Sequence, residues 1–376
     1  MPLFLYKKCR YSQKGWVYKL KNKDASDNKK VDMDEKYCHT FFQDGSRSTG
    51  IQMIHCTDIM KEAYKAEQNI RNHIRETPLE FSPYLSSIGN GQVYLKLENF
   101  QLTGSFKIRG AFNKLLSLPE EKKNKGIITA SSGNHGMAVS YALQKLGLRG
   151  KIFLPQNTSQ TKIEILKDNQ TEMELYGDDC VKAENHARQT AEKSGMEWIS
   201  PYNDPQIIGG QATLGIELLR QIKKLDAVLV PVGGGGLISG IASCLKTENK
   251  ETIVIGCQPI NSCVMYESLK AGRILDLESK PSLSDGTVGG IEIGSITFEL
   301  CQKLVDDFIL VSEQEIKEAI LLCLRKHQFL IEGAAALPLA SYLKALERFE
   351  GKAVVLVLSG SRISFDQLEK ILCGGV

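Results

Sequence analysis

The stretch "VLVPVGGGGLISGIASCLK", residues 228–246, decides how the rest of the chain is read. A short apolar run delivers four consecutive glycines straight into a helical pattern that starts near Leu237. Glycine loses more conformational freedom on folding than any other residue, so four in a row call for a reason. Bare backbone N–H groups beside a helix N-terminus form a cradle for an anion, and the helix dipole adds to it. Gly233, Gly234, Gly235 and Gly236 are therefore candidate phosphate-binding residues. A dinucleotide loop needs GxGxxG and an acid at the end of the next strand, but "TIVIGCQP" (252–259) offers Gln258 there; the GK[ST] of a nucleotide triphosphate loop is absent. A small phosphate ester fits better than either.

Outward from this stretch, short apolar runs alternate with helical patterns. The runs are "QVYLKLE", "GIITA", "KIFLP", "EMELYG", "EWISP", "AVLVPVG", "TIVIGCQP", "DFILVS" and "AVVLVLSG". Between them lie "GMAVSYALQKLG", "DDCVKAENHARQTAEKSG" and "ATLGIELLRQIKKL". That alternation specifies an α/β fold with parallel sheets covered by helices on both faces. Upstream, Ile59, Ala63, Ala66, Ile70 and Ile74 recur at helical spacing, a pattern expected to stop before Pro78.

With 376 residues, 42% hydrophobic and 24% charged, the chain has the composition of a soluble globular protein. A formal net charge of +3 gives no reason to expect nucleic acid as a partner, and no apolar run approaches the ~20 residues of a membrane span. Ten cysteines, none in a CxxC and several in apolar segments, read as small hydrophobes in a reducing compartment. Residues 1–55 lack periodicity and read as a poorly ordered extension. Their Lys-rich start, with Asp24 and Asp27, matches neither a secretory signal nor a mitochondrial presequence, so a cytoplasmic location is expected.

In such folds ligands bind beyond the carboxyl ends of the strands. "TASSGNHGMAVSYAL" places Ser131, Ser132, Gly133, Asn134 and His135 at one such junction, where hydroxyls, an amide and backbone N–H groups can hold a carboxylate. Taken singly, His135 reads as a satisfied structural histidine and Ser132 as a plain N-cap. "VVLVLSGSRIS" puts Ser359 at the end of a buried strand, which alone is ordinary turn chemistry. "LTGSFKIRGAFNKL" (102–115) sets Lys107 between Phe106 and Ile108 at a helix start. Alone, that is a snorkelling surface lysine.

Together and in this order, these motifs resemble the pyridoxal-phosphate-dependent serine/threonine dehydratase and serine racemase family of the tryptophan-synthase-β fold. "RETPLEFSPYLS", "IIGGQATLGIEL", "LSDGTVGG" and "IEGAAAL" support the match, which covers roughly residues 57–376. The resemblance implies two doubly wound domains, a large one of residues 56–112 and 204–376 and a small one of 113–203, with the cofactor in the cleft between them. It implies that Lys107 carries the cofactor as a Schiff base beside Phe106. Asn134 would bond the phenolic oxygen, residues Gly233 to Leu237 would hold the phosphate, and Ser359 would face the ring nitrogen with Glu332 behind it. Ser131, Ser132, Asn134 and His135 would surround the substrate carboxylate. A homodimer is the assembly it suggests.

The chemistry agrees with that placement. Schiff-base formation needs a neutral amine, which apolar surroundings favour, and the freed amine can then act as general base. The leading expectation is an ammonia-lyase converting L-serine or L-threonine to a 2-oxo acid and ammonia by β-elimination. A racemase would need a second acid/base, a place the resemblance gives to Ser132. A lyase for a modified 3-hydroxy amino acid, suggested by the long "DGTVGGIEIGSITFEL" segment, and a silent cofactor-binding regulator are further readings. Three departures qualify the match. Gln258-Pro259 stands where the racemase branch has a metal-binding Glu-Pro, so no metal is expected. "SGSRIS" brings Arg362 into the loop after Ser359. The chain ends soon after this strand, so no regulatory domain and no feedback inhibition by isoleucine are expected.

Overall fold

The structure, a computed structural model, describes residues 56–374 and a separate antiparallel pair, Tyr11–Ser12 with Gly15–Trp16. The pair belongs to the first of two units of the chain and residues 56–374 to the second. The expectation of poor order over 1–55 otherwise lies outside the described residues.

Each of the nine apolar runs contains a strand, and the second unit divides them between two sheets. The larger runs in the order Asp307–Val311, Ile253–Pro259, Ala227–Pro231, Ala353–Leu358, Gln92–Leu97, Leu79–Phe81. All of its neighbours are parallel except the last pair, where the edge strand Leu79–Phe81 runs antiparallel. The smaller runs Glu172–Leu175, Gly150–Leu154, Ile127–Ala130, Glu197–Trp198, all parallel.

The tetraglycine strand shows why its run is continuously apolar. Ala227 and Leu229 pack in one core cluster with Ile316, Ile320 and Leu339, from the helices Glu313–His327 and Gly333–Lys344. Val228 and Val230 pack on the other face with Leu214 and Ile238, from the helices Pro205–Gln221 and Gly236–Glu248. Side chains alternate along a strand, so a strand covered on both faces must be apolar at every position. The first helix, Cys56–Ile70, buries Ile59, Ala63, Ala66 and Ile70 as its spacing requires. It ends at Ile70, earlier than Pro78 suggested, while Ile74 stays buried in the turn that follows.

One charged cluster fixes the helix Lys107–Ser117 against both neighbours. Arg109, fully buried, donates to both carboxylate oxygens of Glu98 (2.8 and 2.7 Å) and both of Glu217 (2.7 and 2.9 Å). Lys96, from the strand Gln92–Leu97, bonds Glu217 from the other side. Burial alone would raise the Glu217 carboxyl, but Arg109 and Lys96 overcome that and hold it down to about 2. Among the described residues no helix is long and apolar enough to cross a membrane, and all eight described cysteines are unpaired.

Removing Glu217 leaves two buried cations short of a partner. Glu217→Ala should cost roughly 3–5 kcal/mol in urea unfolding. A loss no larger than that of an ordinary surface substitution would show the cluster to be dispensable.

Candidate active site

The tetraglycine turn is built as a concave backbone surface. Gly235 caps the helix Gly236–Glu248 with φ +86°, a left-handed conformation that side chains other than glycine rarely accept. A Cβ on Gly234 would lie 2.5 Å from the ring of Tyr202, and one on Gly233 would lie 3.1 Å from Thr287 Cα. Thr297 Oγ1 donates to the Gly234 carbonyl at 2.6 Å. Tyr202, Thr287 and Thr297 thus wall the cradle. Leu237 turns its side chain into the core beneath.

Lys107 is the first residue of its helix. Its Nζ donates to the Pro201 carbonyl at 2.8 Å and lies 5.3 Å from the centre of the Phe106 ring. Pro201 adjoins Tyr202, so one short segment holds the amine and backs the cradle. Burial lowers the amine to about 8, with the Glu332 carboxylate opposing the fall.

Ser359 follows the strand Ala353–Leu358 and is 1% exposed, yet its Oγ has no hydrogen-bond partner. Its carbonyl accepts from Phe106 N at 3.1 Å, which joins this turn to the lysine helix. Glu332, 4% exposed, accepts both contacts from Asn134 Nδ2 at 2.9 Å and one from Arg362 N at 3.1 Å. Burial still pushes its carboxyl up to about 7. The other end of the Asn134 amide, Oδ1, is buried without a partner. Arg362 turns its side chain back on the segment before Lys107, where Nε donates to Thr103 O at 2.8 Å.

In the serine/asparagine loop the helix cap is Gly133, with no side-chain capping bond, and not Ser132. Ser131 Oγ instead accepts from Gly133 N at 3.2 Å, and Ser131 and Ser132 are half-buried on the approach to Asn134. His135 is 3% exposed, with Nε2 3.3 Å from Ile199 O. Burial, then the nearby Lys107 charge, lowers it to about 3, so the ring is neutral. Gln258 donates to Val232 O at 3.1 Å and accepts from Tyr266 N at 2.9 Å, spending both ends of its amide. Thr287 and Thr297 lie in the stretches "LSDGTVGG" and "DGTVGGIEIGSITFEL", but nothing there singles them out, and Tyr202 lies in none of the quoted stretches. The only trace of Tyr202 is an aromatic residue directly after the run "EWISP".

Loops at the carboxyl ends of two largely parallel sheets that gather a weakly basic lysine and a glycine cradle place the chain among the tryptophan-synthase-β-like enzymes. The chain belongs to the pyridoxal-phosphate-dependent enzyme family, whose profile matches residues 70–360. The L-threonine ammonia-lyase of Thermotoga maritima is 38% identical over 317 residues, 84% of this chain and 79% of that relative. The processed form of threonine deaminase isoform 2 from Solanum lycopersicum superposes with a TM-score of 0.79 at 33% identity, covering 84% of this chain and 92% of that one. Maize serine racemase superposes at 0.78 with 29% identity, covering 84% and 96%.

The residues present fit the family's cofactor. The glycine cradle suits a phosphate that a Cβ at Gly234 would obstruct, the Lys107 amine suits an aldehyde, and two buried polar atoms, Ser359 Oγ and Asn134 Oδ1, await partners. An amine whose folded value lies near 8, below its ordinary 10.5, destabilises the fold while charged. The cost is complete below pH 8 and disappears as pH rises through 10.5. Lys107→Met should therefore stabilise the cofactor-free protein at pH 7 by about 1–2 kcal/mol in denaturant unfolding, with the gain fading in alkali. A pH-independent difference would contradict the assignment.

Proposed function

We propose that the protein is a pyridoxal-phosphate-dependent ammonia-lyase that converts L-threonine or L-serine to a 2-oxo acid and ammonia. The observation that carries this reading is the enclosed Lys107 amine, lowered to about 8 and aimed along the segment that backs the cradle. The relatives named for threonine ammonia-lyase and threonine deaminase support the same substrate class. Pyridoxal phosphate, when bound, supplies the carbonyl that captures the amino acid and the ring that accepts its electrons.

The chain's residues then divide the work. Gly233, Gly234, Gly235, Gly236 and the Leu237 N–H hold the phosphate. Phe106 would flank the ring, and Asn134, steadied by Glu332, would serve its phenolic oxygen. Ser131, Ser132 and Asn134 take the substrate carboxylate, with His135 as a neutral support behind them. Lys107 Nζ, once released, removes the Cα proton as general base. The Ser359 hydroxyl, buried without a partner, would serve the ring nitrogen and, unlike a carboxylate, would not hold a proton there, which would leave a weaker electron sink suited to loss of the β-hydroxyl. Racemisation asks for a second acid/base. The unpaired thiols support a reducing, cytoplasmic setting. Exposed Phe365 and Leu372 on the last helix support assembly as a homodimer.

Purified protein with pyridoxal phosphate should form 2-oxo acid and ammonia from L-threonine and L-serine and not from the D-isomers. Lys107→Ala should lower the rate at least ~1,000-fold and abolish the visible absorption of the bound cofactor. Borohydride trapping followed by peptide mapping should label position 107. Accumulation of D-serine in place of 2-oxo acid would establish the racemase reading instead.

A further inference from the structure

The long segment between Asp285 and Thr297 has a middle that apolar packing does little to hold. Gly289, Gly290 and Gly294 have nothing within reach of an added Cβ, and Ile293 is 95% exposed. Ile291 alone tucks into the core there. Gly289 N adds one bond to Ser262 Oγ at 3.3 Å, and the most heavily bonded point is Glu292, each of whose polar groups has a partner. Its backbone N donates to Tyr202 Oη at 2.9 Å. One carboxylate oxygen accepts from Arg188 Nη2 at 2.8 Å, and the other accepts from Asn203 Nδ2 at 3.0 Å. Asn203 returns a bond through Oδ1, which accepts from Ile296 N at 3.1 Å. Arg188 belongs to the helix Cys180–Ser194 of the four-stranded half, where it stacks on Trp198 at 4.5 Å and bonds Glu184.

These contacts converge on the cradle. The Tyr202 ring occupies the space a Gly234 side chain would need, and its backbone lies 3.2–3.3 Å from the Cβ position of Gly236. At the far end of the segment, Thr297 bonds the Gly234 carbonyl. We propose that Glu292 is a positioning residue for the phosphate cradle. It straps the loop to the helix Cys180–Ser194 and, through Tyr202 and Asn203, holds the floor and rim of the tetraglycine turn in the shape that receives a phosphate ester. This rests on the reading of residues 233–236 as a phosphate site and names a group, outside that site, on which its shape depends. A carboxylate is needed because it accepts from two donors at once. An amide in its place would turn an N–H toward one of them, leaving two donors facing each other at a half-buried site.

The test compares pyridoxal phosphate with pyridoxal, which lacks the phosphate, by fluorescence titration of wild type and Glu292→Gln. A strap that acts on the cradle predicts that Glu292→Gln weakens pyridoxal phosphate about tenfold and leaves pyridoxal within about twofold. Tyr202→Phe, which removes only the hydroxyl, should show the same selective loss, and it carries the comparison if Glu292→Gln does not fold. The double variant should lose less than the two single losses combined, because the backbone bond to Tyr202 and the carboxylate bonds to Arg188 and Asn203 hold the same stretch of loop. A merely structural role would weaken both probes together or neither, and either result overturns the proposal. A wild type that binds the two probes equally would overturn the phosphate reading of the cradle and the strap with it. A wild type that prefers pyridoxal phosphate, with that preference intact in both variants, would overturn the strap alone.

Discussion

Arg109 is a guanidinium with no access to water, two residues beyond Lys107, and the candidate site depends on where it is held. Four of its hydrogen bonds go to two carboxylates, one following the strand Gln92–Leu97 and the other in the middle of the helix Pro205–Gln221. Burying charges of this kind brings little net stability, because the lost hydration offsets most of the attraction. What the cluster brings is direction. A planar fork that must meet two carboxylates at once tolerates little rotation or sliding of its helix. The helix begins at Lys107, so the amine inherits that rigidity and reaches Pro201 O without a loop to position it.

The same withdrawal of water sets the chemistry of the cleft. It lowers Lys107 and His135 and raises Glu332, bringing the amine and the carboxyl close to neutrality at about 8 and about 7. The Glu332 carboxylate opposes the fall of Lys107 only in part. A strong ion pair with Glu332 would instead keep the amine protonated, so Glu332 has to stay occupied elsewhere. The two hydrogen bonds from Asn134 and the one from the Arg362 backbone do that, and they leave the amine free to react.

Much of this was legible in the sequence, for a reason that also marks its limit. Strands covered on both faces must be apolar throughout, so runs such as "AVVLVL" announced themselves, whereas Leu79–Phe81, three residues on an antiparallel edge with Phe81 half-exposed, did not. The tetraglycine turn was readable because glycine is needed where Gly235 takes a left-handed conformation and Gly234 meets an aromatic ring. A charge inside an apolar run pointed to Lys107, but the same signal occurs at Lys96 in "YLKLE" and Glu217 in "LGIELL", which serve the structural cluster. Spacing alone cannot separate a reactive lysine from a paired one, since the difference lies in which partner the fold supplies. Tyr202 and Glu292 were illegible on similar grounds. They meet across about ninety residues of chain, and neither sits in a run whose periodicity carries information.

The loop after Ser359 shows how a departure from the family pattern is absorbed. An arginine beside a cofactor's ring would be expected to disturb both the charge and the fit of that end of the cleft. In this loop Arg362 spends its backbone N–H on Glu332 while its side chain turns away to bond Thr103 O, and burial lowers its own hold on the proton. The neighbouring Ser361 accepts no such duty and anchors outward on the carbonyl of Asn99. The main chain, and not the side chain at 362, is thus what the site uses. The residue there is free to vary so long as its N–H remains and its side chain can leave the cleft, and a proline would fail on the first count where an arginine passes both.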